Sequence, residues 1–117
     1  MIRSLFVITL FLSACSGGIP RSEAPEDLMS HDKMVSVMTE LVKLEAFIQS
    51  TYVSVERYHN SMKLSGDSLL KAEGITYDQF DRSLDYYSER QDEIQSIYSD
   101  VLNELNKELG EIESSKE

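Results

Sequence analysis

The sequence predicts an all-α fold, a small bundle of about four helices with the second one interrupted and an antiparallel helix hairpin at the C-terminus. Two long stretches place apolar residues three and four apart, which is helical rather than strand spacing. Between them, Gly74-Ile75-Thr76-Tyr77-Asp78-Gln79-Phe80 carries a helix stop followed at once by a helix start. The chain also holds a single cysteine, Cys15, so no internal disulfide can staple the fold and packing alone must hold it.

In the first helix, Ser30 supplies an N-cap and Asp32 an anion near the positive helix end. Met34, Val37, Met38, Leu41, Leu44 and Ile48 then form one wide apolar face, ending at about Ile48. Glu45 falls near the middle of that face. A carboxylate there must be paired or shift its pKa, so Glu45 is a candidate ligand or partner-binding group. The alternative is internal satisfaction by a Tyr hydroxyl, an Arg or a helix end.

A second helical segment covers Thr51 to about Leu64, with Tyr52, Val55, Tyr58, His59 and Met62 on one side. Ser65-Gly66-Asp67 is expected to break it, and a short restart from Ser68 ends at Gly74, a left-handed cap. Thr76 and Gln79 have capping-box spacing, with Ile75 and Phe80 at the positions of a hydrophobic staple. The helix that starts there runs to about Tyr87 and buries Phe80, Leu84 and Tyr87 around the small Ser83. A last helix continues to about Ile112 on Ile94, Tyr98, Val101, Leu105, Leu109 and Ile112, widened by Ile97 and Leu102. The short connection between these two helices predicts the hairpin.

The chain before the first helix reads differently. Met1-Ile2-Arg3 is followed by an apolar run from Leu5 to Leu12, too short for a membrane helix, which needs about 20 residues. Leu12-Ser13-Ala14-Cys15 resembles the bacterial lipobox in all four positions, so Cys15 is the expected lipidation site and residues 1–14 the expected signal peptide. Covalent lipid on Cys15 with two or more acyl chains gives stable membrane anchoring. Residues 15–27 contain two glycines and two prolines and read as a flexible tether, 28–113 as the helical domain, and 114–117 as a frayed tail. Ser16 in place of an aspartate, by resemblance to lipoproteins of diderm bacteria, implies the outer membrane and its periplasmic face.

The charge narrows the partners. Removing residues 1–14 leaves 10 basic and 21 acidic side chains, a balance of 10 − 21 = −11. That sign opposes phosphate backbones, so nucleic acid is disfavoured and the membrane is reached through the lipid anchor. His31 and His59 stand alone, without metal-ligand spacing. Asp81, Asp85 and Glu89 lie in one helical row, which spreads oxygens along a line and suits a solvated face better than a cation. No metal or cofactor is expected. No free nucleophile, glycine-flanked serine or glycine-rich phosphate loop points to catalysis, so an enzyme is not expected. Met34, Met38, Tyr86 and Tyr87 are a candidate binding face, although tyrosines at helical spacing more often complete a core.

Several short stretches together resemble a family of small Bacteroidota lipoproteins known as domain of unknown function 4296. They are Pro25-Glu26-Asp27-Leu28-Met29 with Lys33-Met34; Leu44-Glu45-Ala46; Gly74-Ile75-Thr76 with Phe80, Ser83 and Tyr86-Tyr87; and Ile97-Tyr98 with Val101 and Leu105. The resemblance spans Pro25 to about Leu105 and implies an envelope lipoprotein with no established activity. It draws attention to Glu45, which falls inside one of these stretches. Ser65-Gly66-Asp67 departs from the pattern. The expected function is a non-catalytic accessory or scaffold subunit that binds another envelope protein through a helical face. The alternative is a periplasmic, chaperone-like module for unfolded outer-membrane chains or an apolar ligand, using a groove lined by Met34, Met38, Met62 and tyrosines.

Overall fold

The computed structural model describes residues 20–116, which form four helices and, among the described residues, no strand. The signal-peptide and Cys15 assignments lie outside the described residues. Helix α1 is His31–Thr51, α2 Val55–Ala72, α3 Tyr77–Ser88 and α4 Gln91–Ser114. Helices α1, α3 and α4 end within a few residues of the positions read from the sequence, whereas α2 starts at Val55 instead of Thr51 and takes in the expected short restart.

The capping chemistry explains the sharpest boundaries. The Ser30 hydroxyl accepts from the Lys33 amide at 3.2 Å, and the Thr76 hydroxyl from the Gln79 amide at 3.1 Å. Half of the capping box is therefore present. The Gln79 side chain turns instead to the Asp27 carbonyl at 2.8 Å, pinning the chain ahead of α1. Gly74 has φ +72 and closes α2: its amide bonds to the Lys71 carbonyl and that of Ile75 to the Leu70 carbonyl. This is the paired-bond C-cap that needs a left-handed residue, and its two apolar members, Leu70 and Ile75, are both buried.

The break expected at Ser65-Gly66-Asp67 is absent, and α2 passes through it as one helix. A mid-helix glycine costs about 1 kcal/mol in propensity, which is less than the burial of Leu70 and Ile75 that a continuous helix secures. The chain reverses earlier, at Tyr52 to Ser54, where Tyr52 is extended at φ -116 and ψ 116.

Helix α1 is the central element, packed against both α2 and α4. Lys33 pairs with Glu73, and Glu45 accepts from Tyr58, so α2 runs antiparallel to α1. His31 meets Asp100 at 2.7 Å and Lys43 meets Glu108 at 2.9 Å. Both numbers rise together, so α4 runs parallel to α1. A parallel neighbour requires a return path, and α2 with α3 provides it. Helix α3 packs on α4 across the two residues Glu89 and Arg90, the C-terminal pair the short connection foretold.

Met34, Val37 and Ile97 are fully enclosed, and Leu70, Ile75, Tyr87, Ile94 and Val101 complete the core. The apolar face of α4 divides in two. Ile94, Ile97 and Val101 are buried, whereas Tyr98, Leu102, Leu109 and Ile112, expected in the core, are exposed. One neighbouring helix covers a narrower arc than the combined stripe occupies.

Two glycines offer a paired test. A Cβ at Gly66 meets nothing within 4 Å and its φ is ordinary, so Gly66→Ala should raise unfolding free energy by about 0.5–1 kcal/mol. Gly74→Ala, at φ +72, should lower it by about 1–2 kcal/mol, both read from urea denaturation midpoints.

Candidate functional site

Residues 20–29 form a strap along α3. Near its start, the Glu89 carboxylate accepts from the Ser22 amide at 2.6 Å and the Ser22 hydroxyl at 2.8 Å. The Arg90 guanidinium donates to the Ser22 carbonyl at 2.8 Å while lying 3.6 Å over the Tyr86 ring. Asp27 pairs with Arg82 at 2.6 Å. At the far end, the buried backbone of Met29 donates to the Ser83 hydroxyl at 3.0 Å and accepts from the Tyr87 hydroxyl at 2.7 Å. The part of the expected tether that is described, residues 20–27, is thus bound to the domain. Its two prolines, Pro20 and Pro25, signalled lack of helix, not lack of partners.

The candidate binding face does not form. Met34 is 0% exposed and Tyr87 is buried with its hydroxyl on Met29, while Met38 and Tyr86 are half-buried and packed on the core. The large apolar side chains at these positions fill the space between α1, α3 and α4. Met34 cannot line an open groove.

Glu45 is half-buried near the far end of α1 and accepts from the Tyr58 hydroxyl at 2.8 Å and the Gln49 amide at 3.3 Å. The bond to Glu45 holds the Tyr58 hydroxyl above its usual pKa. Among the described residues no buried side-chain polar atom lacks a partner, and no group of three or more His, Cys, Asp or Glu is placed to hold a metal ion. No described helix is long and apolar enough to cross a membrane. His31 is engaged by Asp100, and the row Asp81, Asp85, Glu89 is divided: the first two are exposed, whereas Glu89 holds the strap.

Two grooves flank α1. One, about 510 Å³, lies between α1 and α4, with Asp32, Glu40, Asp100, Glu104 and Glu108 on its walls and Val35 and Thr39 beneath. Lys43 bridges Glu40 and Glu108 beside it, and these two bonds, that to Glu40 foremost, hold its ammonium above the usual pKa. The other groove, about 340 Å³ and mostly apolar, lies between α2 and α3 over Leu41, with Met62, Gly66, Leu70, Tyr77 and Phe80 on its walls. A third feature is the α1–α2 turn itself. Val53 is 103% exposed, and Phe47 and Val55 are also open to solvent. The sequence signal for it was the apolar Tyr52-Val53-Ser54-Val55, which continued the helical reading and so concealed a turn.

Fold and surface define a small all-α bundle with a strap ahead of α1 and an apolar turn at the opposite end. The family described as domain of unknown function (DUF4296) matches residues 25–111, and the chain belongs to it. No curated protein and no solved structure matches the chain.

The strap gives a pH prediction. The Ser22 amide and hydroxyl hold the Glu89 carboxyl below its ordinary pKa, and the Arg82 hydrogen bond does the same for Asp27. Depressed carboxylates contribute strap binding that is complete above their unbound pKa values and lost as pH falls through the lowered ones. A fluorophore near Ser22 should therefore report a strap docked at about pH 7 and progressively released as the solution is acidified below the ordinary carboxylate range, and Glu89→Gln should weaken docking at neutral pH. An unchanged signal across that range would refute the assignment. Tyr87→Phe leaves the Met29 carbonyl unpaired inside the protein and should cost about 1–3 kcal/mol in thermal or urea unfolding.

Proposed function

We propose that this chain is a non-catalytic Bacteroidota lipoprotein, acylated at Cys15, attached to the outer membrane facing the periplasm, and acting as an accessory or scaffold subunit for another envelope protein. The observation that carries the reading is the separation of its two ends. The strap arrives at Ser83 and Tyr87, beside the start of α1, while the exposed Phe47, Val53 and Val55 lie at the other end. The 21 residues of α1 set these about 31 Å apart. An anchor at one end and an apolar contact surface at the other suit a spacer that presents a binding tip away from the membrane. The lipobox-like Leu12-Ser13-Ala14-Cys15 supports the anchor, and the buried Met34 argues against the methionine-lined groove of the chaperone-like alternative. Glu45, two residues before Phe47, gives the tip a carboxylate already oriented by Tyr58.

The test is gentle crosslinking of envelopes carrying the full-length chain, Cys15→Ala, or Val53→Asp with Val55→Asp. The lipidated chain should recover one envelope protein in stoichiometric amount, and the tip variant at least tenfold less. Exposed substitutions of this kind change stability by about 0.5 kcal/mol or less, so folding is not the confounding factor. Recovery of no stoichiometric protein in any of several detergents would defeat the subunit reading. Equal recovery by the tip variant would relocate the surface.

A further inference from the structure

We propose that the exposed stripe of α4 pairs with the same stripe on a second copy of this chain. Tyr98, Leu102, Leu105, Leu109 and Ile112 are spaced four, three, four and three, the repeat of a helix that packs against another helix. The row toward α1 is a different one, Ile94, Ile97 and Val101, and is already buried. Leu105 is half-buried, while the other four stripe residues keep from 49% exposure at Tyr98 to 60% at Leu102. Together they form an apolar patch on the order of 400 Å², at the size where monomer surfaces mark interaction sites.

The occupant follows from where the charges lie. Helix α4 carries seven acidic residues and one basic, Lys107. At about 100° per residue, Glu93, Asp100, Glu104, Glu108 and Glu111 fall on the side of the α1 contact row away from the stripe. Three of them, Asp100, Glu104 and Glu108, wall the acidic groove there. The open flank is neutral along the stripe, at Gln95, Ser99 and Asn106, with an acid only at its two ends, Asp92 in the first turn of the helix and Glu113 in the last. A basic partner helix would find few carboxylates to pair with along this edge. A second copy brings the same apolar spacing and a flank neutral along the stripe, so most of the acids that give each chain a net charge of −10 stay outside the contact. An isologous contact of this kind is the commonest closed arrangement of identical chains. A standard interface buries about 800 Å² per partner, so the stripe must draw in the flanking Asn106 and Ser99 and yields a weak, concentration-dependent dimer.

The test uses the full-length chain in intact envelopes with Asn106→Cys, a short bis-maleimide crosslinker, and Asn103→Cys on the far side of α4 as control. The unsubstituted chain, whose one cysteine is Cys15, sets the background. A homodimer band at least tenfold stronger at position 106 than at 103, and abolished by adding Leu102→Glu with Leu109→Glu, is the expected result. Sedimentation of the purified chain should show dimer rising with salt, because screening relieves repulsion between two acidic bodies. Equal bands at both positions, no band, a band that survives the glutamates, or a dimer that dissociates as salt rises would overturn the pairing. An adduct of another mass at position 106 would also overturn it and assign the stripe to a different protein. The tip variant Val53→Asp with Val55→Asp leaves the homodimer intact, which separates failure of this pairing from failure of the subunit reading.

Discussion

The fold depends on the backbone of one residue, Met29, held between two hydroxyls of α3. Ser83 receives its amide and Tyr87 reaches its carbonyl, and all three residues are buried. A peptide unit has no business in an apolar interior without partners, because each unpaired group costs about 1–3 kcal/mol. With both satisfied, the strap can enter the core, deliver α1 in register, and let the Met29 side chain seal against Tyr87 and its neighbours. Ser83 is 0% exposed, and its small size is what allows a backbone to come so near.

The second organising constraint is the parallel pairing of α1 with α4. Parallel helices place like dipole ends side by side, so cross-links must supply specificity. His31 with Asp100 and Lys43 with Glu40 and Glu108 do so at half-exposed positions, where such pairs contribute little free energy but fix the sliding register. The apolar row from Ile94 to Val101 provides the attraction that these contacts align. Because α3 is half the length of α4, the later turns of α4 have α1 alone for cover.

Local chemistry made much of this readable. The Ser30 and Thr76 caps, the left-handed Gly74 and the apolar periods are each decided within a few residues, and the helices stand where those signals put them. Gly66 misled because a glycine's intrinsic preference is weak against the burial of Leu70 and Ile75 beyond it. The α4 stripe misled differently: periodicity records which side chains are apolar, not whether a neighbour is long enough to cover them. The binding face drawn through Met34, Met38, Tyr86 and Tyr87 failed for the same reason in reverse, since these are the residues the neighbours do cover. Glu45 lies on the predicted face, yet its partners Tyr58 and Gln49 come from an antiparallel pairing and a helical turn that spacing alone cannot arrange. The strap contacts span 52 to 68 residues of sequence and leave no local trace.

The strap also sets how the molecule bears load. Tension on the chain ahead of Ser22 is taken first by the exposed bonds to Glu89 and Arg90, then by Asp27 with Arg82 and Gln79, and only last by the buried clamp on Met29. Bonds arranged in series along a peeling line fail one at a time and at low force. Seven residues would pay out between Ser22 and Met29, about 24 Å of chain, before any pull reached the core. The strap from Ser22 to Met29 is therefore an extensible spring in line with a stiff rod, and it absorbs displacement without transmitting it to the helices.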